Sequence, residues 1–90
     1  MVELQATITG KVQGVAYRAF VQEAATELGL VGFVKNVPGG RVEVVAQGLP
    51  DTLKEFVEYL YEGSLLSIVD GVAVDWRSAS VTYSEFSVLQ

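Results

Sequence analysis

The sequence predicts an α+β sandwich, an antiparallel sheet with two helices on one face, in the order β-α-β-β-α-β. Three observations lead there. Apolar residues recur at every second position in the opening segment and again near the middle. Two other segments switch to helical spacing. Glycine or proline stands at most changes of period. Of the 90 residues 50% are apolar, enough for one core, so residues 1–90 are expected to form a single domain.

Val2, Leu4, Ala6, Ile8 and Val12 alternate with Glu3, Gln5, Thr7, Thr9 and Lys11, as in a strand with one face buried. From Ala19 to Leu28 the spacing lengthens: Phe20, Val21, Ala24, Ala25 and Leu28 make a helical stripe, closed by Gly29. A second strand is expected over Val31 to Val37 and a third over Arg41 to Gln47, where Val42, Val44 and Ala46 alternate. Pro38-Gly39-Gly40 between them reads as a hairpin turn. The second helix starts near Pro50-Asp51-Thr52, with Thr52 and Glu55 at capping-box spacing. Its stripe is Leu53, Phe56, Val57 and Leu60, and Gly63 ends it. Val72, Val74 and Trp76 mark a fourth strand, and Tyr83 to Val88 a short fifth.

With right-handed crossovers, this order lets both helices cover one sheet face, the split βαβ or ferredoxin-like plan. The first and third strands are usually central in it, and the second borders the third. Whatever ends strand one and strand two therefore meets at one end of the sheet.

Composition narrows the chemistry. There are no cysteines and no histidines, so there is no thiolate nucleophile and no imidazole, the usual general base and the commonest transition-metal ligand. The carboxylates of Glu23, Glu27, Glu55, Glu58 and Glu62 look like solvated helix faces without metal spacing. No metal and no organic cofactor are expected. The net charge of −5 argues against nucleic acid, which needs a basic face. Apolar stretches are far shorter than a membrane span, and a soluble, cytoplasmic monomer is expected.

The most informative run is Gly10-Lys11-Val12-Gln13-Gly14-Val15-Ala16-Tyr17-Arg18. A strand pattern feeds a two-glycine loop that ends in arginine where a helical pattern begins. Loop N–H groups, the positive end of a helix and the arginine fork can together hold a tetrahedral anion. Read singly, these residues are bland: the glycines would shape a turn, Tyr17 would pack in the core, Asn36 would be a strand-end residue, and Lys11 and Lys35 would be solvated. Trp76 reads as core or as a partly exposed sheet residue.

The run resembles the acylphosphatase signature Gly-x-Val-Gln-Gly-Val-x-aromatic-Arg. The resemblance continues through Ala25, Leu28-Gly29-Leu30, Gly32-Phe33-Val34-Lys35-Asn36 and Gly40-Arg41-Val42-Glu43, with a looser match at Phe86-Ser87-Val88. It implies hydrolysis of acyl phosphates to carboxylate and inorganic phosphate. It also implies that Arg18 and the backbone N–H groups of Gln13, Gly14, Val15, Ala16, Tyr17 and Arg18 hold the phosphoryl group, and that Asn36 positions the attacking water. Departures are small: Ala16 sits at a variable position, and Pro38-Gly39-Gly40 replaces a turn that more often carries aspartate before glycine.

The residue chemistry suits those roles. An arginine fork binds two phosphate oxygens, which a lysine cannot do, and a neutral amide both accepts and donates. A carboxylate, with a parent-acid pKa near ~4, leaves without help from an enzyme acid. Two alternatives are weighed. A non-catalytic anion-binding or regulatory module of the same plan would not need the water-positioning amide. An RNA-binding sheet would need aromatics on strand three, where Arg41-Val42-Glu43-Val44 stands. Segments of this type also occur fused to larger carbamoyl-transfer proteins, and a 90-residue chain starting at Met1 points to a free-standing enzyme.

Overall fold

The computed structural model describes residues 1–90. Strand β1 spans Val2–Lys11, helix α1 Tyr17–Glu27, β2 Val31–Val37, β3 Arg41–Gly48, α2 Pro50–Glu62, β4 Ile68–Ser78 and β5 Phe86–Leu89. The strands form one sheet in the order β4-β1-β3-β2-β5. β1 and β3 are central, as the element order implied.

Register explains the sandwich. Residues directly opposite across antiparallel strands share a face. Leu4 pairs with Ala46, Ala6 with Val44 and Ile8 with Val42, and all six are fully buried. Val34 extends the second row through Val44, and Asn36 extends the third through Val42. The helices add Val21, Ala25, Leu53, Phe56 and Leu60 to the same core. Leu and Val at these spacings leave water together only if both helices lie on that face.

The sheet is mixed rather than wholly antiparallel, because β5 pairs with β2 in parallel. Alternation across the other pairs makes β4 run opposite to β1, and β2 run with it. A short return from the end of β4 must start β5 at the same end of the sheet. On the β2 edge that direction is parallel. The return segment crosses the open face, where Gln47 Nε2 donates to the Val81 carbonyl and Tyr83 packs edge-on against Phe33, centroids 5.7 Å apart.

Helix ends differ from expectation at one point. α1 closes as expected: Leu28 is its last half-helical residue, Gly29 takes φ 72°, and Leu30 N–H reaches the Ala25 carbonyl at 2.9 Å. α2 begins with Pro50 after Leu49, and no side chain caps it. Thr52 therefore lies inside the first turn, and the Thr52–Glu55 capping box does not form. Proline at the first helical position already fixes φ and removes one orphan donor. Gly63 ends α2 at φ 74°.

Gly10 also moves. It belongs to β1, not to the loop, and sits at a register shift against β4 with φ 126°. A Cβ there would overlap the Ile68 carbonyl oxygen, so this glycine serves close strand approach. Trp76 is partly exposed on the β4 edge strand. No helix is long and apolar enough to cross a membrane.

Candidate active site

The C-terminal ends of β1, β2 and β5 lie at one end of the sheet, and the segment joining β1 to α1 crosses that end. Val12 and Val15 anchor it in the core, while Gly14 and Ala16 are exposed. Gly14 has φ 73° and Ala16 φ 62°, with Val15 between them at negative φ. Alternating handedness of this kind turns successive N–H groups toward a common concavity. Ala16 is the one non-glycine residue at positive φ in the chain.

Those N–H groups are unspent. From Gln13 to Ala19 none donates to any group of the protein; Phe20 is the first to do so, to the Ala16 carbonyl at 3.1 Å. Some of this is the ordinary deficit of a helix start. Here it is left uncompensated, since α1 has neither a side-chain cap nor an acidic residue in its first turn.

The loop is fastened through other atoms. Gln13 Nε2 donates to the Val37 carbonyl at 3.1 Å and to the Arg41 carbonyl at 2.8 Å, tying the loop to both ends of the β2–β3 hairpin. Ser64 Oγ donates to the Val15 carbonyl at 2.8 Å from the turn after α2. Both ties leave the loop N–H groups free. Tyr17 is buried and its hydroxyl donates to the Leu60 carbonyl at 2.7 Å. Burial raises its phenol well above the ordinary range, so it stays neutral and packs.

Arg18 stands half-buried in the first turn of α1, and its Nη1 donates to the Leu89 carbonyl at 2.8 Å. A guanidinium carries further donors beyond that bond. Arg18 lines a cavity of about 220 Å³ with Tyr17, Gly14, Ala16, Val12, Ala19 and Val88. Val12, Ala19 and Val88 were not among the residues expected to form the site. Val88 could not have been, because its place depends on the β5 pairing.

Asn36 lies in the row Ile8–Val42–Asn36, on the face covered by the helices and at the same end of the sheet. It does not line the cavity with Arg18. Its Oδ1 is the only buried side-chain polar atom without a hydrogen-bond partner. A buried acceptor without a protein partner costs stability and is rare, which makes this atom a candidate to meet a ligand or a water. Lys35 points to the other face, where it pairs with Glu43 at 3.5 Å and lies over Phe33. No group of three or more acidic side chains is placed to hold a metal ion.

A sequence model of the acylphosphatase family matches residues 4–88. The chain belongs to the acylphosphatase family. The acylphosphatase of Thermus thermophilus is 50% identical over 76 residues, covering 84% of this chain and 86% of that one. The acylphosphatase of Methanococcoides burtonii is 43% identical over 81 residues, covering 90% of this chain and 84% of the other. The crystal structure of acylphosphatase from Bacillus subtilis superposes with a TM-score of 0.97 at 37% identity, with both chains covered completely. The ferredoxin-like α+β fold of this acylphosphatase family member is thereby shown, and the resemblance read from the signature run stands.

Proposed function

We propose that this acylphosphatase-family chain hydrolyses the carboxyl–phosphate bond of small acyl phosphates by cradling the phosphoryl group and orienting a water. Family membership supports the reaction class. The observation that carries the mechanism is the run of unspent N–H donors from Gln13 to Ala19, beside Arg18 and an uncompensated helix start. Such donors, already oriented, stabilise charge on equatorial phosphoryl oxygens without reorganising during the reaction.

In this reading the Arg18 fork binds two phosphoryl oxygens, held at its far side by the Leu89 carbonyl. The open Oδ1 of Asn36 accepts a hydrogen bond from the attacking water and fixes its direction. Water oxygen bonds to phosphorus as the bond to the acyl oxygen breaks. The electron pair leaves on the carboxylate, and the proton of the water passes to a phosphoryl oxygen. No strong base is needed for a loose phosphoryl transfer, and none is on hand. A purely binding module of the same fold is the weaker reading, given the family.

The leaving group tests this. kcat/KM measured at fixed pH should be high for benzoyl phosphate, intermediate for an aryl monoester with an acidic phenol, and orders of magnitude lower for an alkyl phosphate, whose alkoxide nothing here protonates. Efficient cleavage of the alkyl ester would show that an acid is present and would overturn the mechanism.

A further inference from the structure

Arg18 is not the only side chain of α1 that reaches β5. One helical turn later, Gln22 Nε2 donates to the Phe86 carbonyl at 3.1 Å. Residues four apart share a helix face, about 6 Å apart along the axis. Arg18 and Gln22 therefore clasp the strand at two points, Leu89 at its C-terminal end and Phe86 at its start.

β5 needs such a clasp. It has only four residues, it lies on the sheet edge, and its one strand neighbour is β2. Gly32 N–H takes the Glu85 carbonyl at 2.9 Å, so the next carbonyl, that of Phe86, turns to the free edge where no strand meets it. Gln22 fills that vacancy. The Phe86 ring is buried edge-on against Phe56, centroids 6.1 Å apart, which holds the strand down, while the strand ladder sets its register from the β2 side alone.

We propose that Gln22 is a positioning residue: by fixing β5 against α1 it holds the Leu89 carbonyl where it can aim the Arg18 guanidinium at the phosphate loop. This rests on the proposed role of Arg18. Gln22 acts through the strand and touches neither substrate nor loop.

The experiment compares Gln22→Met, which keeps length but has no donor, with Gln22→Lys, which keeps an N–H able to reach the Phe86 carbonyl. Inhibition by inorganic phosphate, kcat and KM for benzoyl phosphate, the thermal midpoint, and amide exchange at Val88 and Leu89 are read for both, with Arg18→Ala alongside. Gln22→Met is expected to weaken phosphate inhibition and lower kcat/KM about three- to tenfold, the scale of one net hydrogen bond. Its Val88 and Leu89 amides should exchange faster, and Gln22→Lys should restore both properties. Wild-type phosphate inhibition in Gln22→Met, or equal losses in Met and Lys, overturns the proposal while leaving Arg18 in place. If Arg18→Ala itself leaves phosphate inhibition unchanged, the reading of the site fails and this inference fails with it.

Discussion

The two ends of the sheet treat buried polar groups in opposite ways. At the end remote from the loop, Glu3 and Gln47 are buried on the open face, 5% and 1% exposed, yet fully partnered. Gln47 Nε2 donates to Glu3 Oε1 at 2.9 Å and to the Val81 carbonyl, its Oε1 accepts from Tyr83 N–H at 3.2 Å, and Arg77 pairs with Glu3. At the loop end Asn36 Oδ1 has no partner, and the N–H groups from Gln13 to Ala19 have none. A satisfied network adds stability and specificity of fold, whereas a buried acceptor left open costs stability, and the loop N–H groups stay free to meet a ligand. The difference separates a part of the molecule that holds its shape from the part to which we assign the proposed chemistry. Mutations should respect that division.

The largest expected effect is at Arg18. Arg18→Ala should lower kcat/KM for benzoyl phosphate a hundredfold or more, about 3 kcal/mol for a charged, bidentate contact. Arg18→Lys should fare little better, since it keeps the charge and loses the fork. Thermal stability should fall only modestly, because the guanidinium makes a single protein bond, to the Leu89 carbonyl. A lysine variant of near-normal activity would contradict the clamp.

Asn36→Ala should split activity from stability. With the water no longer aimed, kcat should fall on the order of a hundredfold, while inhibition by inorganic phosphate shifts far less. Removing the open Oδ1 should leave the protein as stable or up to about 1 kcal/mol more so. Equal losses in kcat and phosphate affinity would instead place Asn36 in the anion cradle.

Gln47→Ala reverses that pattern. It strips partners from Glu3, the Val81 carbonyl and Tyr83 N–H at once, and should cost about 2–3 kcal/mol in denaturant titration. The kcat of the folded fraction should stay within about threefold, a span equivalent to less than 1 kcal/mol. A Gln47 variant that stays stable and loses turnover would erase the contrast between the two ends.

How much of this the sequence revealed follows from the range of the forces involved. β2 was legible to the residue, because its alternation and the Pro38-Gly39-Gly40 turn are local signals. Arg18 and Asn36 were singled out by the signature run; register places Asn36 at the end of the sheet where β1 leads into α1, whose first turn carries Arg18. Gly10 was misread, since its need for φ 126° comes from the approach of Ile68 on a strand far along the chain. Likewise, the side chain of Gln13 bridges to Val37 and Arg41. Nothing at position 13 announces a bond whose acceptors are two hairpin ends. The parallel seat of β5, and with it the Leu89 carbonyl on Arg18, follows from directions summed over the whole sheet. The Thr52–Glu55 spacing failed for a local reason: Pro50 offers an earlier start.

The smallest effect should come from Ala16, which tests whether the loop's shape is held at a cost. Its φ of 62° puts a Cβ in the left-handed region, about 1–2 kcal/mol above the right-handed one. Ala16→Gly removes that strain, but gives the unfolded chain more freedom, worth about 0.4–1 kcal/mol in the other direction. The net expectation is a gain of about 0.5–1 kcal/mol, a few degrees in thermal midpoint. Activity should fall no more than about twofold, because the N–H groups keep their directions while the loop is pinned by Gln13 and Ser64. Ala16→Val is the counterpart. A β-branched residue is a true outlier at positive φ, so it should both destabilise the fold and weaken phosphate inhibition as the loop rotates out of its nest. If valine were accepted with unchanged phosphate inhibition, the left-handed turn at position 16 would not be what aims the donors.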